Sequence, residues 1–428
     1  MNALLGHLLI TLSLLATPFA CTAHAAAKKT KPLSLKKRLS PSGSLRTGVF
    51  EHDKQYSEDT GFLLGSAWLS IKTRRVLGVG LYAEGNLQAS NLTRQSTSYG
   101  DLREAYTFGN MKKWDLKLGR QIIVWGRADK LNPTDSLSVR DLTRLVVDDE
   151  DQRTGILSAQ QTYTSGYSRL IAIWQPEWRA PKIPIPPLPQ GVRVSTKDPS
   201  SPTSQFALKF DRSGGRYDYS VSYFNGYDKN PDLELVSIGA GGIDLNLEHN
   251  AVQVFGADTA FNRGDFGIRA ELAYTKTGDN GGDDPLMKNS FWYLVMGADH
   301  SFSENTNLNV QYLYRHIEDW VDPNSLGSAT NITLAKEAQL LFNQRQEQQH
   351  GFSTRLLRRF WDQTLDAELS VLMWLQKQDS LLRAKLIYSF SDHWKGYLGA
   401  EIFSGPDDSY LGQSKKISSL FSEIRYSF

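Results

Sequence analysis

Hydrophobic and polar residues alternate along most of the chain from residue 44 to the end. The alternation is cleanest in segments 206–211, 266–275, 308–315 and 365–376. Because successive side chains of a β-strand point to opposite faces, each segment has one apolar and one more polar face. The segments are about ten residues long, the length that a tilted strand needs to cross a bilayer. The predicted strand starts lie near residues 44, 61, 76, 100, 113, 155, 166, 204, 216, 250, 265, 290, 306, 350, 364, 380, 395 and 416.

The connections between these segments alternate in length. Short connections include 72–75, 109–113, 164–167, 212–216, 262–264 and 391–394, and long ones include 126–154, 176–203, 226–249, 276–289 and 318–349. Bacterial outer-membrane barrels have short turns at one end, long loops at the other and an even number of strands. The sequence therefore predicts an all-β fold, a transmembrane antiparallel β-barrel of about 18 strands (16 to 18), over residues 44–428.

Composition agrees with a barrel and excludes several other classes. A mean hydropathy of −0.40 excludes a helical-bundle membrane protein, whereas the alternating strands of a barrel average out in the same way. A net charge of +2 gives no argument for nucleic-acid binding. Cys21 is the only cysteine, so the sequence offers neither a disulfide framework nor a cysteine-based zinc site.

The beginning of the chain predicts export. Residues 8–20 form a mostly apolar run that Ala23-His24-Ala25 follows, which indicates a signal peptide over residues 1–25. Residues 1–7 contain no Lys or Arg, so an N-terminal anchor and a wrongly assigned start codon stay open as alternatives. Residues 26–43 are basic and are interpreted as a periplasmic tether. The predicted location is the outer membrane of a Gram-negative cell.

The last strand carries a further signal. Leu420, Ile424, Tyr426 and Phe428 share one face of segment 416–428. This arrangement resembles the last strand of bacterial outer-membrane barrels, which ends on an aromatic residue. The resemblance implies that the barrel-assembly machinery recognises Tyr426 and Phe428.

The more polar face of the predicted strands carries nearly equal numbers of cations and anions. A barrel of this size encloses an aqueous lumen, and a mixed wall predicts weak ion selectivity. Arg383 and Lys385 lie two residues apart and form a candidate anion step, unless acids on neighbouring strands neutralise them. The candidate pore-lining residues are Lys117, Arg169, Lys209, Arg269, Glu271, Arg315, Arg355, Arg383, Lys385, Glu423 and Arg425.

Connection 126–154 is the most distinctive loop. We expect Thr134 or Asp135 to cap a short helix that continues to Leu145. The loop either folds into the lumen as a constriction or stays outside as a lid. In the first case the pore-facing residues are Arg127, Asp135, Arg140 and Arg144. Residues 148–151 are all acidic, and we favour a solvated surface over a divalent-cation site.

The same region carries a family resemblance. Gly119-Arg120-Gln121, Trp125-Gly126 and Asn132-Pro133-Thr134-Asp135 resemble the signature of an uncharacterised family of proteobacterial, porin-like outer-membrane proteins. The resemblance covers residues 119–135 and the barrel framework, and it implies an outer-membrane channel without naming a substrate. Strict alternation places Arg120 on the lipid face, unless a bulge at Gly119 turns it inward.

Two other loops have their own character. Residues 181–189 hold five prolines and predict an extended polyproline II segment in an external loop. Residues 333–347 predict a helix that either covers the mouth of the barrel or plugs it, and we favour the cover.

The leading functional hypothesis is a channel, surrounded by outer-membrane lipid, for the passage of small hydrophilic solutes. A monomer and a homo-oligomer both fit. The alternative is a partner-dependent conduit, for polymer export or as a sheath around a redox partner. Scattered histidines and the lack of a G-x-S-x-G motif argue against an enzyme. We therefore predict no catalytic residue, metal site or cofactor, and no nucleic-acid partner.

Overall fold

The structure is a computed structural model that describes residues 39–52, 61–76, 78–90, 97–183, 188, 190–200, 203–279 and 281–428. The predicted signal peptide, most of the predicted tether and the centre of the proline-rich loop lie outside these residues. No helix in the described part of the chain has the length and apolar composition of a helical membrane span.

The described residues form mainly β-strands. In chain order they are β1 (Leu39–His52), β2 (Gly61–Thr73), β3 (Val79–Ser90), β4 (Thr97–Met111), β5 (Trp114–Gln121), β6 (Val139–Arg140), β7 (Arg153–Thr154), β8 (Ile156–Ser165), β9 (Ser168–Gln175), β10 (Val192–Lys197), β11 (Gln205–Arg212), β12 (Asp218–Tyr227), β13 (Asp232–Gly239), β14 (Gly242–Glu248), β15 (Ala251–Arg263), β16 (Phe266–Lys276), β17 (Phe291–Ser303), β18 (Thr306–Ile317), β19 (Gln348–Phe360), β20 (Leu365–Trp374), β21 (Asp379–Ser389), β22 (Trp394–Ser404) and β23 (Ser419–Ser427). One α-helix, α1 (Ala329–Phe342), and three 3₁₀ turns at Asp149–Gln152, Pro323–Ser325 and Gly412–Ile417 complete the list.

Eighteen of these strands form one closed antiparallel barrel, since β1 pairs with both β2 and β23. The barrel comprises every strand except β6, β7, β10, β13 and β14. The predicted fold and strand number are confirmed, and all but the first strand begin within three residues of their predicted starts. Short turns lie at one end of the barrel and long loops at the other.

The first strand begins earlier than predicted. It starts at Leu39 rather than at residue 44, so residues 39–43 of the predicted tether belong to the barrel. These residues continue the ladder with β2, whereas β23 pairs with β1 from Ser44 onward. The sequence around Pro41 does not alternate, so it gave no strand signal. This end of the strand is held by backbone pairing with β2 rather than by a buried side-chain face.

The two faces of the barrel differ as the alternation requires. Outward-pointing residues are apolar and exposed, as at Leu45, Leu87, Leu118, Phe206, Phe255, Leu398 and Leu420. Inward-pointing charges such as Lys209 and Asp211 are buried. Aromatic pairs mark each end of the barrel, with Trp114–Tyr163, Phe266–His300 and Trp394–Tyr426 near the short turns and Tyr223–Phe255 and Tyr274–Trp292 near the long loops. An outward-facing apolar band between aromatic girdles is typical of the surface of a membrane β-barrel.

A small cap stands at the long-loop end. Strands β10, β14 and β13 form a separate sheet. Helix α1 packs on this sheet through an apolar cluster that includes Leu245, Leu334 and Phe342. The helix was expected over residues 333–347 but begins at Ala329, because the Ser328 side chain accepts a hydrogen bond from Asn331 N and caps it. In the described residues α1 is part of this cap.

Candidate functional site

The connection between β5 and β8, residues 122–155, lies inside the barrel and is called the lumen loop below. Three apolar clusters fasten it to different arcs of the wall. Ile123, Trp125 and Leu137 pack on β9, β11, β12, β15 and β16, Leu131 packs near β17 and β18, and Val147 packs on β1, β2, β22 and β23. Because these arcs face one another across the barrel, the loop crosses the interior.

The loop is extended and does not contain the helix that was expected from Thr134 or Asp135 to Leu145. Strand β6 within that range pairs with β7 instead. The Asp135 carboxylate accepts from Arg153 (2.7 Å) rather than capping a helix. Tertiary pairing has overridden the local capping signal.

The first arm of the loop, Gly126–Thr134, is held by a buried carboxylate of the wall. Glu271 on β16 is 1% exposed. Its Oε2 accepts from the backbone N–H groups of Arg127 (3.0 Å) and Ala128 (3.1 Å). Its Oε1 accepts from Thr134 N and Thr134 Oγ1, both at 2.8 Å. Four donors from one loop therefore satisfy one wall glutamate.

Gly126 permits this close approach. Its φ of +104° is in a region that side-chain-bearing residues rarely adopt, and a Cβ there would lie 2.6 Å from Glu271 Oε2. The Trp-Gly and Asn-Pro-Thr motifs that carried the family resemblance thus enclose Glu271.

Arg127 extends the first arm into a buried charge cluster. Its guanidinium pairs with Asp258 and, at 2.8 Å, with Asp211. Lys209 lies 3.3 Å from the same Asp258, and Arg169 lies 2.8 Å from the same Asp211. The Asp258 side chain is 1% exposed, so its charge depends on these partners.

Two further ion pairs link the first arm to β19 and β20. Asp129 binds Arg355 at 2.7 Å, and Lys130 binds Glu368 at 2.8 Å. Lys130 remains 44% exposed, so it presents charge to the interior of the barrel.

The second arm, Asp148–Asp151, meets the opposite arc of the wall. Asp148 lies 3.1 Å from both Lys385 and Arg425. Asp149 lies 2.5 Å from Arg383, and Asp151 lies 2.5 Å from Arg46. The interpretation of the acidic run as a solvated surface is therefore wrong for these three residues. Glu150 differs, since its side chain is 74% exposed although it binds Arg153.

Arg383 and Lys385 are neutralised by acids, which is the alternative to a candidate anion step. Arg383 also pairs with Glu401 on the neighbouring strand β22. The remaining partners come from the loop, which the sequence reasoning did not consider. Arg425 further binds Glu423 at 2.7 Å.

The other constriction-loop candidates behave differently from one another. Arg144 is buried and binds Asp101 at 2.7 Å. Arg140 lies directly opposite Arg153 in the β6–β7 ladder and is partly exposed. In the described part of the chain no acid lies within ion-pair distance of Arg140. Arg140 is therefore a loop cation without an ion-pair partner among the described residues.

The remaining wall candidates lie away from the loop. Arg269 is 40% exposed and lies 3.3 Å from Asp299. Arg315 is buried near the cap and donates to Asn343 O at 2.8 Å. Lys117 is exposed and lies near the short turns. Pore lining by these residues and constriction by the loop stay predictions.

Comparison with known proteins places the chain in a family. A family model described as "Protein of unknown function (DUF1302)" matches residues 72–356. The chain belongs to the DUF1302 family. The matched range includes the lumen loop and Glu271, so the predicted family resemblance is confirmed. No curated protein matches this DUF1302 chain in sequence.

Solved structures show the fold of this DUF1302 protein. It is similar to Pseudomonas aeruginosa OccK1 (OpdK), with 10% identity, a TM-score of 0.58 and coverage of 92% of this chain and 99% of that chain. It is also similar to OccK5 (OpdH) of the same organism (10%, 0.56, 92% and 98%) and to OccK11 (OpdR) (10%, 0.54, 91% and 96%). At this identity the likeness concerns the fold, an outer-membrane type of barrel.

Sequence reasoning missed several members of the DUF1302 site. Four charged residues were not among the candidates: Asp258, Arg46, Arg103 and Arg153. Asp258 and Arg46 form ion pairs with the lumen loop, Arg153 forms one within it, and Arg103 forms one beside it. Asp258 stands alone among small and apolar residues on the inner face of β15, and that isolated charge is the signal that could have revealed it.

The β4–β5 and β5–β8 ladders have no register shift at Gly119, so the alternative that a bulge there turns Arg120 inward is wrong. The register shift lies between Glu84 and Gly85, where β4 inserts Arg103 as the extra residue. Arg120 stays opposite Ala105, and its side chain donates to Leu102 O at 3.2 Å. The bulge turns Arg103 toward the lumen loop, where it donates to Glu150 O at 2.7 Å.

Proposed function

We propose that this protein is an outer-membrane channel for the passage of small hydrophilic solutes. The observation that carries the proposal is the lumen loop, which crosses a barrel of 18 strands and is ion-paired to opposite arcs of its wall. A barrel of this size encloses an aqueous lumen. That the loop narrows this lumen and leaves a passage open is part of the proposal.

The fold supports an orientation. By analogy with bacterial barrels, the short turns face the periplasm and the long loops with the cap face outward. Tyr426 and Phe428 lie at the end of β23, beside the seam with β1. Their recognition by the assembly machinery, and a homo-oligomeric state, are further parts of this proposal.

Single-channel recording of the refolded barrel in a planar bilayer tests the function. We expect stable open steps and a weak ion preference in a salt gradient. Substitution Arg140→Cys in a Cys21→Ser background supplies one thiol in the predicted passage. A bulky thiol reagent should then reduce the step size.

Leu398→Cys in the same background is the matched control, because Leu398 points outward from the wall. Its modification should leave the current unchanged. A correctly folded barrel without open steps, or equal effects of the reagent on both variants, would overturn the proposal and favour a partner-dependent conduit.

A further inference from the structure

Three arginines lie on the outward face of the barrel at its short-turn end. Arg212 is the last residue of β11, Arg216 lies in the turn that follows, and Arg263 is the last residue of β15. Arg212 points outward because its neighbour Asp211 points inward and is buried. Arg263 points outward because it lies an odd number of positions after Asp258, which points inward and is buried. All three arginines are exposed.

Aromatic side chains of the girdle lie between these arginines. Tyr219 is the register partner of Arg212 and is 42% exposed. The Arg216 guanidinium carbon lies 5.4 Å from the ring centroid of Tyr217, which is 47% exposed. The ring centroids of Tyr217 and Phe261 are 5.3 Å apart. We call the three arginines and these three aromatic residues the arginine girdle patch.

The arginines of the patch have no partner in the protein. Within the described residues, none of the three has an acid at ion-pair distance or a side-chain hydrogen bond. Inward-pointing arginines such as Arg127 and Arg383 differ, since each pairs with acids. The guanidinium donors of the patch are therefore free to bind a group outside the protein.

Two acids lie close to the patch in sequence. Asp218 takes an inward position on β12, and its Oδ1 accepts from Gly214 N at 2.8 Å. Asp265 lies in the exposed turn after Arg263 and, in the described part of the chain, forms no ion pair. Even with Asp265 included, the outward surface carries three positive charges against one negative charge.

The arc from β21 to β23 shows that such a cluster is not general in the girdle. At the same end of the barrel its outward face carries the aromatic residues Tyr388, Trp394 and Tyr426. Within the described residues of these three strands, every lysine and arginine points inward, namely Arg383, Lys385, Lys395 and Arg425. The basic patch is therefore a local feature of the arc from β11 to β15.

We propose that the arginine girdle patch binds acidic phospholipids of the surrounding membrane, with the phosphate at Arg212, Arg216 and Arg263. A guanidinium donates paired hydrogen bonds to phosphate oxygens, and tyrosine rings settle between the head groups and the acyl chains. An acidic lipid also brings the net negative charge that a zwitterionic lipid lacks. The inference rests on the proposed orientation, which places the patch in the periplasmic leaflet, and it is independent of conduction.

Native mass spectrometry of the refolded full barrel in detergent measures this binding. Dioleoylphosphatidylglycerol and dioleoylphosphatidylcholine share their acyl chains, but only the first has a net negative charge. We expect the phosphatidylglycerol to bind roughly fivefold more tightly, and this preference to shrink at high salt because charged contacts are screened. Equal affinity for the two lipids at low salt would overturn the proposal.

Matched variants locate the site. The patch variant replaces the three arginines by glutamine, as Arg212→Gln with Arg216→Gln and Arg263→Gln. The control variant removes the same charge from exposed inward-facing positions at the same end, as Lys72→Gln with Arg75→Gln and Lys395→Gln. The patch variant should lose the preference for phosphatidylglycerol, and the control variant should keep it. Equal losses would mean that net charge alone attracts the lipid, and the proposal would fail.

A soluble competitor tests whether the ligand is a lipid. Glycerol 3-phosphate carries a head-group phosphate without acyl chains. At equal concentration it should leave the bound phosphatidylglycerol in place. Displacement would indicate a site for a free phosphate ester and would overturn the lipid assignment. The heat-dependent shift in gel mobility of a folded barrel verifies that every variant is folded.

The two proposals fail separately. A barrel that conducts but does not distinguish the two lipids would overturn this inference and leave the channel function intact. A barrel that prefers phosphatidylglycerol through the patch without conducting would overturn the channel function alone.

Discussion

The two arms of the lumen loop are held in contrasting ways. The first arm is fixed by three backbone N–H groups and one hydroxyl that donate to the buried Glu271, and by the apolar cluster around the preceding residue Trp125. The second arm is held mainly by side-chain ion pairs, and the carboxylates of Asp148 and Asp149 are 33% and 30% exposed. If the barrel is the channel that we propose, we expect the first arm to set where the loop lies and the second arm to set the charge of the passage.

The charges of the two arms are also reversed, apart from Asp129 of the first arm, which pairs with the wall cation Arg355. Arg127 and Lys130 on the first arm meet acids of the wall, and the acids of the second arm meet cations of the wall. Buried groups lose the most when a partner is removed, because the abandoned group has no access to water. Partly exposed pairs contribute little and are screened by salt.

The largest expected effect is that of Glu271→Ala. The substitution leaves three backbone N–H groups and one hydroxyl without their acceptor, at about 1–3 kcal/mol for each buried donor. We expect the first arm to detach while the barrel stays closed, since strand pairing is untouched. Single-channel recordings should show larger and much noisier open currents.

Asp366→Asn is the matched control for Glu271→Ala. Asp366 is also a wall carboxylate, but it is 34% exposed and lies 3.8 Å from its partner Arg359. Its current should resemble that of the wild type. Quiet, unchanged currents in Glu271→Ala would contradict the anchoring role of that carboxylate.

A smaller effect is expected for Arg127→Met. It removes one partner from the buried Asp258 and Asp211, and breaking a buried pair costs about 3–5 kcal/mol. Lys209 and Arg169 remain beside these acids, which places the cost at the low end. We expect increased current noise and a shift of the reversal potential toward cations.

Arg169→Met tests whether burial is the reason. Arg169 binds the same Asp211, but its side chain is 47% exposed, compared with 15% for Arg127. Its removal should change the current much less. If both variants behave alike, burial does not distinguish the pairs, and the contrast between the two arms fails.

The different ways in which the two arms are held also explain which features could be predicted from the sequence. The barrel was predictable because alternation is local, so each strand carries its own two faces. The Gly126 and Thr134 motifs were visible as well. Their role was not, since the acceptor Glu271 lies 137 residues beyond Thr134. No residue near Thr134 in the sequence indicates that Glu271 is its partner.

The second arm shows the same limit more strongly. Asp148 binds Arg425 across 277 residues. Taken alone, four consecutive acidic residues predict a solvent-exposed segment, because like charges repel one another and favour contact with water. Only closure of the barrel brings Arg46, Arg383 and Arg425 to them. Long-range charge complementarity was thus the part of the site that local patterns omit.

Neutralising the second arm should alter selectivity more than stability. Asp148→Asn with Asp149→Asn removes two negative charges. Lys385 then loses its ion-pair partner, and Arg383 and Arg425 keep only Glu401 and Glu423. Each partly exposed pair contributes about 0.2–1 kcal/mol, so the barrel should remain folded and quiet. The reversal potential in a salt gradient should move toward anions. Asp299→Asn, which frees Arg269 far from the loop, should move it less.

The smallest effect on the current is expected when the pH is lowered. Burial raises the pKa of Asp148, but Lys385 and Arg425 lower it by more, so its pKa lies below the ordinary 3.8. Asp149 is similar, with burial opposed by Arg383. A carboxylate whose pKa is lowered in the folded state stabilises that state above its ordinary pKa. This contribution is lost as the pH falls through the folded value.

The second arm should therefore stay charged, and docked, from neutral pH down to the ordinary range of aspartate. The measurement is the difference in reversal potential between the wild type and Asp148→Asn with Asp149→Asn, recorded from pH 7 downward. That difference should stay constant until the pH falls below 3.8 and should then vanish as the wild type becomes equally anion-selective. A difference that already fades between pH 6 and pH 5 would mean that burial outweighs the wall cations. The second arm would then resemble the first, and the distinction between a positioning arm and a charge-setting arm would be lost.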